Sequence, residues 1–384
     1  MRVLFVQPSL QPPGGGNGVA VWMIQSLVKR AEVTVLSWVP LELGAVDAYY
    51  GTSLAGAGLK SLCRRPLVSY WMERLGVPHE LFKLHYLMAL ARRLGPGYDL
   101  VCSANNELDL GSRAVQYVHY PWNSHPRPDC HPDWYSRRTL RAVLRVYYFL
   151  CTRMSGYRRE GMLSNLTLVN SQWTGRLFQR TYGPHPYRVL HPPALGQFPQ
   201  VPWQPRRNAF LSIGRQCPTK EWEKLITIVA GLRARGHEVE LTLAGSRDNA
   251  PYRERILERI GQEGPWVRLA EDLSRDELVA LATEHRYGLH GMTEEHYGMA
   301  VAELVSAGCL TFAPADGGQV EILRDERLLY AHEGEAVEKI DRVLRSQELQ
   351  RELQAQLAGR ELGVERFQRD FEECLAGLCG PPAR

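Results

Sequence analysis

TEEHYGMAVAELVSAGC, residues 293–309, sets two acids, a histidine and a tyrosine directly before a glycine that opens a strongly apolar run. Glu295 and Glu303 stand eight positions apart, and on one continuous helix they would lie about 80° apart around the axis. A helix that begins near Gly298 instead leaves Glu295 in the preceding loop and puts Glu303 in the second turn. The free N–H groups of Gly298, Met299 and Ala300 then sit at the mouth between the two acids, a ready site for a phosphate. Acid, anion site, acid suits a ligand with hydroxyls at both ends and phosphate in the middle, the layout of a nucleotide sugar. Acids before a helix are also ordinary dipole partners, and Glu303 can equally be a solvated face residue, so the rest of the chain has to decide.

At 384 residues the chain exceeds one ordinary core and predicts two domains. With 44% hydrophobic and 23% charged residues it reads as a soluble globular protein, without a low-complexity tract or long-period repeat. The opening MRVLFVQPSL is too short an apolar run for a signal peptide and breaks at Pro8. No window reaches the roughly 18 uninterrupted apolar residues of a membrane span. Eight irregularly spaced cysteines without a C-x-x-C pair disfavour a zinc site and a dense disulfide framework, and predict reduced thiols in the cytosol. The net charge of +4 hides an asymmetry: residues 1–200 carry 22 Lys/Arg against 11 Asp/Glu, and 201–384 carry 24 against 31. Halves of opposite sign suggest two different tasks.

The first half opens with an apolar strand, Val3 to Val6, a glycine-rich loop PPGGGNG, a helical pattern from Val19 to Val28 and a second run EVTVLSW, the order of a parallel βαβ unit. Further strand-like runs are DLVCSA (99–104), AVQYV (114–118), LTLVN (166–170) and YRVL (187–190). Residues 192–207 hold five prolines and no periodic pattern, which reads as a linker. A second alternating series follows: NAFLSIG, a helix over 221–235, EVELTLAG, a helix over 252–263, WVRLA, a helix from Ser274 with Glu277 completing a capping box, RYGLHG, the helix after Gly298, and LTFAP. Two βαβ domains with ligands at the carboxyl ends of their strands, in the cleft between them, is the expected architecture.

GGGNG at 14–18 is neither a dinucleotide fingerprint, since position 19 is Val19, nor part of a P-loop, but Gly15 and Gly16 let backbone approach a ligand closely. Arg215 and Lys220, in the loop after the second domain's first strand, suit a diphosphate, with surface charges in water as the plainer alternative. His119 ends a strand and can donate a hydrogen bond or carry a proton near neutral pH, or be a satisfied structural histidine. His119, His125, Cys130 and His131 are scattered by prolines and make a poor metal set. Residues 137–159 hold seven arginines and no acid. Leu140, Leu144, Tyr147 and Cys151 repeat every three or four positions, with Arg137, Arg141 and Arg145 on another face. Such a helix can lie on an anionic membrane surface or simply pack its apolar face with arginines in water; no nucleic-acid motif accompanies it.

Together these residues resemble the retaining glycosyltransferases of the α/β GT-B class that carry an E-x7-E motif, here Glu295 through Glu303. VHYPW (118–122), NSQWT (170–174), LHPPA (190–194) and EHYGMAVAE (295–303) are most similar to mannosyltransferases that extend lipid-linked oligosaccharides with GDP-mannose. The resemblance implies two Rossmann-like domains facing each other across a cleft, an N-terminal acceptor domain over 1–195 and a donor domain over 196–363. A helix from about 364 to 384 would pack back on the first domain. Arg215 and Lys220 would neutralise the donor diphosphate and stand in for a metal, no D-x-D motif being present. Glu303 would hold the ribose hydroxyls, and Glu295 the sugar near the reacting carbon. Gly298, Met299 and Ala300 would offer N–H groups, Gly15 and Gly16 would close over the diphosphate, and His119 would lie near the transferred sugar.

The implied activity is metal-free transfer of a hexose, mannose favoured, from a nucleotide sugar to a glycan, lipid-linked or small-molecule acceptor. No cofactor and no nucleic-acid partner are expected. A cytoplasmic place is expected, with 137–159 as a contact to the inner membrane face. The alternatives are the same fold using UDP-glucose or UDP-N-acetylglucosamine, and a non-catalytic nucleotide-sugar or glycan-binding module. Lys220 is followed by Glu221 and Trp222 where the family often has a glycine, and His290 precedes the motif where small residues are common.

Overall fold

The computed structural model describes residues 1–12, 14–77, 79–111, 114–121 and 138–376. The chain divides into two compact units, Met1–His191 with Phe367–Arg384, and Pro192–Arg366. His125, Cys130, His131, Trp122 and Arg137 lie outside the described residues.

The first unit is built on seven parallel strands: β1 (Arg2–Val6), β2 (Glu32–Ser37), β3 (Lys60–Cys63), β4 (Leu100–Ser103), β5 (Ala114–Val118), β6 (Leu166–Val169) and β7 (Arg188–Val189). Their order is β3-β2-β1-β4-β5-β6-β7, with Phe5 opposite Val35 on one side and Cys102 on the other. Helices cover both faces of such a sheet, so Val3 to Val6 are all buried and read as a continuous apolar run rather than an alternation. The helix Gly15–Leu27 follows β1, as the glycine loop predicts. The helix Val364–Ala376 runs into this unit: Arg30 pairs with Glu372, and Arg188 Nη1 donates to the Cys374 carbonyl at 3.2 Å.

The second unit carries six parallel strands: β8 (Arg207–Ile213), β9 (Glu240–Gly245), β10 (Val267–Glu271), β11 (His285–Leu289), β12 (Leu310–Pro314) and β13 (Leu329–Tyr330), ordered β10-β9-β8-β11-β12-β13. Phe210 of β8 stacks on Tyr287 of β11 at 4.9 Å, and Trp222, Leu225 and Val229 of the helix Trp222–Ala234 close the core. The Ser274 capping box forms as its sequence predicts, each partner accepting from the other's backbone N–H. The proline-rich stretch has no regular structure but is pinned: Ala194 N–H donates to the Leu362 carbonyl at 2.7 Å, and buried Arg206 donates to the Val201 and Ala307 carbonyls.

Three helices, Leu43–Tyr50, Leu67–Arg74 and Glu80–Leu94, and the strand β3 occupy a region whose sequence shows no readable pattern. The helix Leu67–Arg74 explains why: Ser69 is its one buried residue, so no apolar stripe marks an inward face.

Candidate functional site

In a parallel sheet, ligands gather at the carboxyl ends of strands where the order reverses, because adjacent loops there turn to opposite sides. In the second unit that point lies between β8 and β11. The loop after β8 carries Arg215 and Lys220, and the loop after β11 carries His290 and Glu295.

Lys220 ends a short 3-10 turn, Pro218–Lys220, and its Nζ donates to Glu295 Oε2 at 2.7 Å. His290 Nε2–H donates to the same carboxylate oxygen at 3.2 Å. Side-chain exposure is only 16% for Lys220 and 14% for Glu295, so this ion pair is largely withdrawn from water. Burial pushes the Glu295 carboxyl up, but the Lys220 charge and the His290 hydrogen bond outweigh it and hold the group well below the usual carboxylate range. Burial lowers His290 below the ordinary imidazole value, so the ring is neutral and serves as a donor.

Glycines make this approach possible. A Cβ on Gly291 would stand 2.7 Å from the Lys220 carbonyl, and one on Gly317 would stand 2.4 Å from the Glu295 carbonyl. Gly317 also has φ +83, and Gly318 N–H donates to the Glu295 carbonyl at 2.7 Å. Two loops with side chains there could not close on the acid. Gln319 steadies the same loop by donating to the Met292 and Pro314 carbonyls.

Gly298 caps the helix Met299–Ser306 in a left-handed conformation, φ 98, so Met299 and Ala300 stand in the first turn, where N–H groups have no carbonyl of their own helix. Glu303, in the second turn, is buried and meets Arg275 Nη2 at 2.9 Å. Burial raises its carboxyl despite Arg275 and the Leu195 N–H that donates to it. Arg275 fits because Gly196, φ +100, has no side chain: a Cβ there would lie 2.9 Å from the guanidinium. The possibility that Glu303 faces solvent is thus excluded, whereas Arg215, half exposed, pairs with Asp248 at 2.9 Å rather than with an acid of the motif. The loop's two cations, alike in sequence, have different partners.

In the first unit the reversal lies between β1 and β4. Gly15 and Gly16 open the helix after β1. A Cβ on Gly16 would come no closer than 3.8 Å to His119 Nε2, so the imidazole stands beside open backbone. His119 is held on both sides: its N–H donates to Asn106 Oδ1 at 2.8 Å and its Nε2 donates to the Ala104 carbonyl at 3.1 Å. Sequence reasoning left out Arg275, Asp248, Gly291 and the Gly317–Gly318 pair; the glycine doublet after LTFAPAD was a turn signal, while nothing in sequence links Arg275 to Glu303. Among the described residues no cluster of acids, histidines and cysteines could hold a metal ion.

Residues 196–358 match the family described as glycosyl transferases group 1. That match spans most of the second unit. Relatives of the chain include a mouse protein, 29% identical over 54% of this chain and 47% of its own length, and one from Dictyostelium discoideum, 28% identical over 47% and 40%. A Xenopus tropicalis protein is 27% identical over 82% of this chain and 73% of its own length. All three carry the name GDP-Man:Man(3)GlcNAc(2)-PP-Dol alpha-1,2-mannosyltransferase, and the chain spans about half the length of the first two. Among solved structures, Anabaena Alr3699/HepE with UDP-glucose aligns over 98% of this chain and 100% of its own, with a TM-score of 0.64 and 16% identity. WaaG, a glycosyltransferase of lipopolysaccharide biosynthesis, gives the same coverage and TM-score with 15% identity. The two units are thus the two Rossmann-like sheets of a GT-B fold.

Proposed function

We propose that the chain is a retaining hexosyltransferase that moves mannose from GDP-mannose to a hydroxyl of a lipid-linked glycan without a metal ion. The contact between Lys220 and Glu295 at the β8–β11 reversal, beside the first turn of Met299–Ser306, carries the proposal.

Transfer of the sugar requires a nucleoside diphosphate to depart from an oxocarbenium-like centre, so the protein's main contribution is charge stabilisation on the leaving group. Lys220 has three donor protons and gives one to Glu295, so it can serve the carboxylate and a phosphate oxygen together. Arg215 adds a forked donor at the same loop, and the N–H groups of Gly298, Met299 and Ala300 add a helix N-terminus that favours an anion. These groups supply the positive charge that a divalent ion would otherwise bring. Glu295, ionised and held by Lys220 and His290, is set to accept hydrogen bonds from sugar hydroxyls. A carboxylate so tied is a poor nucleophile, which favours attack on the face the diphosphate leaves. Glu303 takes the ribose hydroxyls in exchange for part of its Arg275 contact. Gly15, Gly16 and His119 keep the ligand-contact roles that the family resemblance implies. Mannose, the guanine base and the lipid-linked acceptor are taken from the relatives' names.

The test is to incubate the chain, in EDTA, with GDP-mannose, UDP-glucose or UDP-N-acetylglucosamine and a prenyl-diphosphate-linked oligomannoside, reading product mass and anomeric configuration. Mannose transfer from GDP-mannose alone, with an α product from the α donor, is expected. Transfer only from a UDP donor removes the base and sugar assignment, a β product removes retention, and a strict need for a divalent ion removes the metal-free route. Nucleotide binding without turnover of any donor would make the protein a binding module instead.

A further inference from the structure

Among the described residues, fourteen large apolar side chains are exposed, and twelve of them fall in two short segments of the first unit, 67–77 and 143–154. Scattered exposed apolar residues are normal on any protein; concentration of this kind marks a surface with a partner. Leu67, Trp71 and Leu75 project from the helix Leu67–Arg74 and the turn after it, with Trp71 63% exposed. Val146, Phe149 and Leu150 project from the helix Arg138–Ser155, with Phe149 also 63% exposed.

The helix Arg138–Ser155 already has an inward face. Cys151 and Ser155 are buried, Ser155 Oγ meets His85 Nδ1 at 2.7 Å, and Tyr147 Oη accepts from the Phe82 N–H at 3.1 Å. At about 100° per residue, Val143, Val146, Leu150 and Met154 form a separate stripe, turned away from Cys151 and Ser155. This second apolar face is what the sequence pattern missed. A helix packed on one side with arginines in water would not have it.

A line of contacts joins the two segments. The Arg65 guanidinium lies 4.0 Å from the centre of the Tyr70 ring and 5.8 Å from that of Trp38. Trp38 packs edge-on to Phe82 at 6.3 Å, and Phe82 is bonded to Tyr147. Trp38 directly follows β2, and Arg64 N–H donates to the Ser37 carbonyl, so the surface stands at the carboxyl edge of the first sheet.

Charge identifies the partner. Residues 138–159 hold six arginines and no acid, and Arg145 and Arg153 are exposed beside the apolar stripe. Arg64 and Arg74 flank the other helix, where Glu73 is already paired with Arg65. A second copy of the chain would bring these arginines against themselves, which disfavours self-association. An apolar layer beneath a sheet of anionic groups fits both halves of the surface. We propose that 67–77 and 143–154 form one docking surface for an anionic lipid bilayer, with Leu67, Trp71, Phe149 and Leu150 inserted among the acyl chains and Arg64, Arg74, Arg145 and Arg153 on the head groups.

Vesicle binding needs no sugar donor, so its outcome is independent of the transfer assay. The full chain is floated with vesicles of phosphatidylcholine alone or with 30% phosphatidylglycerol, taken as about physiological to high anionic content, at low and high salt. The expected result is binding to the anionic vesicles and at least tenfold less to neutral ones. Leu67→Gln with Trp71→Gln, and separately Phe149→Gln with Leu150→Gln, should each weaken binding at least tenfold while thermal melting stays as in the wild type. Trp71→Phe, a change that keeps the fold, should remove most of a vesicle-induced blue shift in tryptophan emission. Binding to neither vesicle overturns the proposal. So does binding that both apolar double variants leave unchanged, which would be electrostatic adsorption only. Loss of a dimer in the same variants, without vesicle binding by the wild type, would assign the surface to a second copy and also overturn it.

Discussion

The two units share one plan, a parallel sheet with a reversal of strand order, and differ in where their charges are concentrated. The second unit ties its important ions to each other: Lys220 to Glu295, Arg275 to Glu303, Arg215 to Asp248, and Arg253 to Glu271 through two hydrogen bonds of 2.6 and 2.8 Å. The Arg253 hydrogen bonds hold the Glu271 carboxyl down at about 2. The first unit leaves arginines and large apolar side chains together at its surface. On the readings proposed above, one unit is preorganised around a small polar ligand and the other presents a docking face. A site that must stabilise charge gains from fixed partners, while a docking face gains from groups with none nearby.

The largest effect expected from this contrast is at Lys220. Lys220→Ala should lower transfer by roughly 10²–10³-fold, the cost of removing one charge-stabilising donor, and should cost about 3 kcal/mol of stability by leaving the buried Glu295 charge with only the neutral His290 as a donor. Steady-state kinetics beside chemical denaturation separates the two losses, and a variant with full activity would break the contrast at once. Next is Gly317→Ala, which forces a side chain into a left-handed conformation and against the Glu295 carbonyl; a loss of about 2–4 kcal/mol is expected in the same denaturation experiment.

Acid should affect both units alike. Burial pushes His85 in the first unit and His285 in the second down to about 4, and both are neutral in the folded chain. Because these values lie below the free one, the unfolded chain binds more protons between about pH 6.5 and 4. Stability is therefore full above that window and falls through it, by up to about 3 kcal/mol per histidine. Denaturation midpoints across the window measure the slope, and His285→Asn should remove that histidine's share of it while leaving the share of His290, which burial also lowers. The smallest effect belongs to Gly16→Ala, where the added methyl has room beside His119. Less than about 0.5 kcal/mol is expected, so any fall in turnover would report on ligand approach rather than folding.

The second unit was the more legible because its chemistry sits within a few residues of strand ends. Glu295 and Lys220 could be assigned to one loop each from TEEHYGMAVAE and IGRQCPTKEW, and the strand pattern then brought the loops together. Glu303 could be placed in a second turn, but its partner Arg275 lies 28 positions earlier on a different helix, a distance that no local pattern spans. In the first unit the continuous apolar strands were readable for the same reason they are buried. The helix Leu67–Arg74 was not, because its apolar residues face outward and follow no core. The arginine-rich helix was half read: its periodicity marked Tyr147 and Cys151, and its second apolar stripe appears only once the first has a packing partner.

Titration of GDP-mannose into the wild type and Lys220→Ala by calorimetry, both in EDTA, tests the central claim most directly. Tight binding by the wild type, at least tenfold weaker in the variant, is what a Lys220-centred, metal-free diphosphate site predicts. Equal affinity in both proteins, or wild-type binding that appears only when a divalent ion is restored, would contradict it.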